Sequence, residues 1–182
     1  MNLSALLRRR VQAGPLDVPF WLPAVSLLFA VFGIGVATYL TIAHFDESVS
    51  LVCSDNGAVN CGKVTTSAQS YFLGLPVAAL GLAYFVGILP LLVPAAWRSP
   101  LWVVRTARIV ASAVGVVFIV RLIYAEMFWI HAICLWCTAV HALTFLLFVV
   151  ILLGHALTAP YGDDVNDEDD LPAGRKTATV RR

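Results

Sequence analysis

Four cysteines are the residues of this chain whose type and spacing can do chemistry. Cys53 and Cys61 enclose seven residues, in "CSDNGAVNCGK". Cys134 and Cys137 form a Cys-x-x-C pair inside the apolar stretch "WIHAICLWCTAVHALTFLLFVVILLG", which holds no charged residue. Thiols so paired can exchange disulfides, bind a metal as thiolates or pack as small apolar groups. Cys-x-x-C is a familiar metal-ligand spacing, but a gap of seven is not a standard one, and no metal site is expected. Two structural disulfides stapling a loop and a helix end remain a second reading.

The elements that carry these thiols follow from hydropathy. The chain has 182 residues, 60% hydrophobic and 13% charged, where a soluble domain has about a quarter charged. That composition indicates a membrane protein, and a formal net charge of +1 offers no footing for nucleic acid. A span needs roughly 20 apolar residues. Residues 20–44, 74–96 and 131–153 satisfy this directly. A further span over 103–125 is less obvious, with only twelve uncharged residues between Arg108 and Arg121. Arg105, Arg108 and Arg121 sit toward its ends, where such side chains snorkel to the interface. Without that span the two cysteine pairs would fall on opposite sides of the membrane. The expected fold is all-α: an integral membrane four-helix bundle with a cysteine-bearing outward loop between spans one and two.

Ten Lys and Arg flank one side of these spans (Arg8, Arg9, Arg10, Arg98, Arg105, Arg108, Arg175, Lys176, Arg181, Arg182) and two the other (Lys63, Arg121). The positive-inside rule then puts both termini in the cytoplasm and the loop of residues 45–73 outside. Trp97 and Trp102 suit one interface; Tyr124 and Trp129 suit the other. The chain divides into a basic lead (1–18), retained rather than cleaved as a signal peptide, a membrane domain (19–155) and a charged disordered tail (156–182). Within the loop "SDNG" signals a turn, and "TTSAQSYFLG" is expected as a short interfacial helix. Pro76 suits the first turn of span two; Pro90 and Pro94 bend or end it.

All four cysteines thus fall at the outward face, in a compartment that permits disulfides. Cys134 and Cys137, at i and i+3, share one side of a helix near its first turns. A helix N-terminus favours the thiolate, the attacking species in exchange. Cys137 lies about 4.5 Å deeper at the helical rise, facing the bundle interior. Cys134 is expected nearer the surface, within reach of a flexible loop.

With "C-x7-C-x5-S" (Cys53, Cys61, Ser67), "GLPVAALGLAYF" and "CLWCTAVHA", residues 18–155 resemble the vitamin K epoxide reductase family in its bacterial form. The resemblance implies a four-span bundle around a quinone, menaquinone or ubiquinone, in the bacterial cytoplasmic membrane. Many bacterial members carry a fused thioredoxin-like domain; none is read in this sequence, so a separate secreted thioredoxin-fold (DsbA-like) partner is implied. It assigns Cys137 to the quinone ring, Cys134 as its disulfide partner, Cys61 to exchange with Cys134, Cys53 to the partner protein and Ser67 to the quinone. Two electrons would then enter at the Cys53–Cys61 disulfide, cross through a transient Cys61–Cys134 bond and leave from Cys137. The implied activity is quinone-dependent thiol-disulfide oxidation. The DsbB type of quinone-coupled enzyme shares this chemistry, but carries its Cys-x-x-C in the first outward loop.

His141, one turn beyond Cys137, is a candidate quinone contact, since polar groups inside a membrane bundle are costly and often functional. His131 and Glu126 are placed at the outer edge, solvated or assisting proton uptake, with Arg121 as an anchor paired with Glu126. Phe72, Leu75 and Trp136 are candidate pocket walls, Asn56 and Asn60 turn residues, and "GLPVAALG" a site of close helix packing.

Overall fold

Helix length in this chain is set by where proline and buried arginine fall along the apolar runs. The structure, a computed structural model, describes residues 17–46, 48–49, 51–53 and 58–158. Most of the basic lead, the "SDNG" turn with Asn56, and nearly all of the charged tail lie outside the described residues, as do Arg8, Arg9, Arg10 and the tail's basic residues. In chain order the helices are α1 (Trp21–Phe45), α2 (Cys61–Thr65), α3 (Val77–Leu92), α4 (Pro94–Trp97), α5 (Trp102–Ala125) and α6 (Leu135–Leu157). The chain is mostly helical. Among the described residues, three helices are long and apolar enough to cross a membrane: Trp21–Phe45, Trp102–Ile130 and Leu135–Leu157.

The short helix is α3, not the arginine-flanked one. Its 16 residues reach about 24 Å at 1.5 Å per residue, against about 30 Å of hydrocarbon. Val93 leaves the helical region (φ −63°, ψ 150°), as a residue before proline tends to, and Pro94 opens α4. Pro76 serves as the N-cap of α3, one residue ahead of the first-turn position expected.

Helix α5 runs unbroken for 24 residues because Arg108 turns inward. Its side chain is buried rather than snorkelling. Nη1 donates to the Leu91 carbonyl at 3.2 Å, one of the carbonyls that the end of α3 leaves without an intrahelical partner. The guanidinium also lies 3.7 Å from the centre of the Trp97 ring, a cation–π contact. Trp97 is 1% exposed and its Nε1 donates to Ser26 Oγ at 3.3 Å, so it is core and not part of an interfacial belt. Trp102, Tyr124 and Trp129 are exposed, as expected.

Two apolar clusters organise the packing. One joins Leu22, Ala30, Phe85, Leu92, Trp97 and Ile151. The other, toward the opposite end of α1 and α6, joins Leu40, Cys61, Val64, Ile130, Ala132 and Cys134. Close helix approach is made at Gly33, where a Cβ would sit 2.4 Å from the Phe85 ring, and at Gly154, 2.4 Å from Trp97. A Cβ on Gly81 would meet nothing within 4 Å, so "GLPVAALG" is not the tight contact expected.

"TTSAQSYFLG" is not one helix. It comprises the end of α2, a 3-10 turn (Ala68–Ser70) and half of a hairpin, β1 (Tyr71–Phe72) against β2 (Leu75–Pro76). The two turn residues, Leu73 and Gly74, both have positive φ (53° and 80°), the pattern of a type I′ turn, whose twist matches the strands.

The two tryptophans that the sequence put on one interface therefore separate. Trp97→Ala is expected to cost about 3–5 kcal/mol, the range for a truncated core aromatic, and to lower the thermal midpoint of detergent-solubilised protein. Trp102→Ala is expected to leave that midpoint unchanged. Equal shifts in the two variants would contradict the packing described.

Candidate active site

The cysteine loop is tied down on both sides. Before Cys53, the Val52 N–H donates to Tyr39 Oη at 3.1 Å, and the Val52 carbonyl accepts Trp136 Nε1 at 3.0 Å. The Tyr39 and Trp136 rings meet edge-on at 4.9 Å. Before Cys61, Val59 bridges to Ile133 in parallel: Ile133 N donates to Ala58 O at 2.9 Å and Asn60 N to Ile133 O at 3.1 Å. Asn60 then caps α2, its Oδ1 accepting the Lys63 N–H at 2.7 Å. That cap starts a helix at Cys61.

Cys53 and Cys61 are joined in a disulfide, with Cα atoms 6.0 Å apart. Cys61 is fully buried and Cys53 half-buried. Cys134 and Cys137 are free thiols whose sulfurs are 2.6 Å apart, Cys137 donating to Cys134. Helix α6 starts one residue after Cys134. That cysteine is the N-cap, with extended backbone (φ −101°, ψ 115°), and its sulfur accepts the Cys137 N–H at 3.2 Å. An N-cap side chain normally accepts through oxygen; here sulfur does so, and the same donor stabilises negative charge on it. Cys134 is also not the surface member of its pair. It is fully buried, in the same apolar cluster as Cys61.

Behind Cys137 opens a cavity of about 360 Å³, within the usual size of small-molecule sites. Cys137, Ser67, His141, Phe72 and Leu75 line it, among mostly apolar side chains from α1, α3, α5 and α6. Cys134 and Trp136 are not on its wall; Trp136 serves the loop instead. His141 is buried. Ser67 Oγ donates to the Val64 carbonyl at 2.7 Å, so a ring carbonyl would compete with Val64 for that proton. A flat, apolar ring with two carbonyl oxygens suits this space, with a thiol sulfur at its wall and few polar groups around it.

One residue, Tyr39, escaped sequence reasoning, and another, Glu126, was named but misplaced. Tyr39 looks from sequence like any aromatic of a span, and only the fold brings it to Val52. Glu126 was placed at the outer edge beside Arg121, solvated or assisting proton uptake. It is buried (6% exposed) and lines the cavity. Arg121 is exposed and sits instead over the Phe72 ring at 5.0 Å. His131 is exposed, as expected, and its Nδ1 lies 2.9 Å from the Met127 carbonyl oxygen.

A family model for the vitamin K epoxide reductase family matches residues 24–152. The match spans all four cysteines, Ser67 and His141.

The Trp136 tether generates a direct test. Trp136→Phe keeps the ring and removes a hydrogen bond with a net contribution of about 1 kcal/mol. Reduction of the Cys53–Cys61 disulfide by a small thiol, followed by alkylation and gel shift, is expected to accelerate roughly fivefold. An unchanged rate would mean that this tether does not hold the loop.

Proposed function

The chain belongs to the vitamin K epoxide reductase family, and from that premise we propose that it oxidises a secreted thioredoxin-fold, DsbA-like dithiol and delivers the two electrons to a quinone. Family membership already makes it a membrane oxidoreductase. The finer reading is carried by one observation: exposure falls along the chain of sulfurs and then reopens into a cavity. Cys53 is half-buried, Cys61 and Cys134 are fully buried together, and Cys137 faces the cavity.

Each step follows from that order. A partner thiolate attacks the sulfur it can reach, Cys53, and releases Cys61 as a thiolate. Cys61 attacks Cys134 of an oxidised Cys134–Cys137 pair, and Cys137 leaves as the thiolate. Burial of both Cys61 and Cys134 keeps water and stray thiols from intercepting the mixed disulfide. The partner's second thiolate attacks the partner–Cys53 disulfide, so the partner leaves oxidised and Cys53 is freed as a thiolate. That thiolate attacks Cys61 of the Cys61–Cys134 bond, which re-forms the loop disulfide and leaves the Cys134–Cys137 dithiol beside the cavity. A quinone, menaquinone or ubiquinone, supplies the acceptor for two electrons and two protons. Ser67 and His141 would hold its oxygens from two sides. Four thiolates for a metal are not at hand while Cys53 and Cys61 are bonded to each other.

The proposed orientation keeps both termini cytoplasmic and the cysteine end outward in a bacterial cytoplasmic membrane. The distribution of Lys and Arg supports it. So does the placement of Cys61 and Cys134 in the cluster opposite the Trp97 end.

Purified protein supplied with a reduced thioredoxin-fold dithiol is expected to reduce menaquinone or ubiquinone analogues. Cys137→Ser should abolish turnover. Ser67→Ala should slow it by roughly tenfold or less, the scale of one hydrogen bond. A folded wild-type protein without turnover on any quinone, or full turnover in Cys137→Ser, would overturn the reading.

A further inference from the structure

Directly after α5 the helix widens into a π turn, Glu126–Ile130, that ends on His131 in the left-handed region (φ 52°). Such turns interrupt the regular ladder and often occur at functional sites. This one carries a buried carboxylic side chain into the cavity wall. Glu126 is 6% exposed and lines the same cavity as Cys137. The carboxylate is within electrostatic reach of both Cys134 and Cys137 sulfurs. Among the described residues no basic side chain neutralises it: Arg121 lies over Phe72, and Lys63 and His131 are exposed. The other titratable groups on the wall of the same cavity are His44 of α1, Tyr84 of α3, and His141 and Cys137 of α6, with the buried Cys134 thiol beside Cys137. A carboxyl group inside a membrane bundle is costly, and proton relays are among the tasks that retain one.

We propose that Glu126 is the proton relay between the Cys134–Cys137 dithiol and the oxygen of an acceptor in the cavity. The proposal rests on the quinone reading above and adds the path of the proton. In the step, the Cys134–Cys137 S–S bond forms and both thiol S–H bonds break. Two electrons pass to the quinone. One thiol proton passes to the Glu126 carboxylate and from it to a ring oxygen. The other leaves to solvent, and the second ring oxygen takes its proton from solvent. Two electrons and two protons are lost by the dithiol and gained by the quinone. A merely structural Glu126 would only fill its place in the cavity wall, which the isosteric Gln does equally well.

The test uses the full chain with Glu126→Gln and Glu126→Asp. First, quinone-free protein is examined by infrared difference spectroscopy as the cysteines are reduced and reoxidised. The wild type is expected to show a carboxyl C=O band that responds to the cysteine redox state and is absent from Glu126→Gln. Second, the rate of dithiol oxidation by a soluble quinone analogue is measured against pH, beside the rate of exchange between the partner dithiol and the loop disulfide. Glu126→Gln should slow quinone reduction at least tenfold and lose one limb of the pH profile, with exchange unchanged. Glu126→Asp should restore the limb in part. Wild-type rates and pH profile in Glu126→Gln, or no cysteine-linked carboxyl band in the wild type, would overturn the relay while leaving the quinone reading intact. Absence of quinone reduction in the folded wild type would overturn both. If Glu126→Gln does not fold, the wild-type band and its shift in Glu126→Asp decide.

Discussion

Two backbone hydrogen bonds, Ile133 N–H to Ala58 O and Asn60 N–H to Ile133 O, fix the relation between the cysteine pairs. They lay the end of a loop beside the segment that leads into α6. Cys61, one residue after Asn60, and Cys134, one residue after Ile133, are thereby brought into one buried cluster. Everything that the site does depends on that register. A one-residue slip in an extended pairing would turn the side chains to the opposite face and take Cys61 away from Cys134. Fixing this pairing also starts both short-range devices at the right residue: the Asn60 cap before α2 and the sulfur cap at Cys134.

The same tether must be weak enough to let the loop work. Among the described residues, two hydrogen bonds and the Val52 clamp tie it down, and each such bond contributes on the order of 1 kcal/mol net. Local opening at that cost is well below global unfolding. The bundle beneath is held differently, by Trp97 wedged among Ser26, Arg108 and Gly154 and by Phe85 against Gly33. A rigid end and a hinged end are thus built into one set of helices. The cavity lies between them, with Cys137 at its wall.

Hydropathy and cysteine spacing made the helices and the four thiols legible in the sequence, because both depend on residues near one another in the chain. What was illegible depends on distant pairs. Arg108 read as a snorkelling residue, since nothing local shows that Pro94 frees a carbonyl at Leu91 for it. Trp97 and Trp102 read alike, though Ser26, 71 residues from Trp97, buries one of them. Trp136 read as a pocket wall until its bond to Val52, 84 residues away, was seen. Glu126 read as an edge residue, solvated or assisting proton uptake, because nothing local shows that the cavity reaches it. The start of α6 was expected four residues early, for a physical reason: His131 takes a left-handed conformation and Ile133 pairs with Val59 in a bridge, so helix formation waits for the Cys134 cap.

The central claim is that electrons cross from the loop to the helix pair between Cys61 and Cys134 and nowhere else. The most direct measurement is peptide mapping by mass spectrometry of non-reduced protein in which Cys53 and Cys137 are both replaced by Ala, leaving one thiol of each pair. A Cys61–Cys134 cross-link formed in most of the molecules on mild oxidation is the predicted result. A protein that stays folded with both thiols free, or a Cys53–Cys134 link forming more readily in the complementary Cys61→Ala and Cys137→Ala pair, would contradict the account.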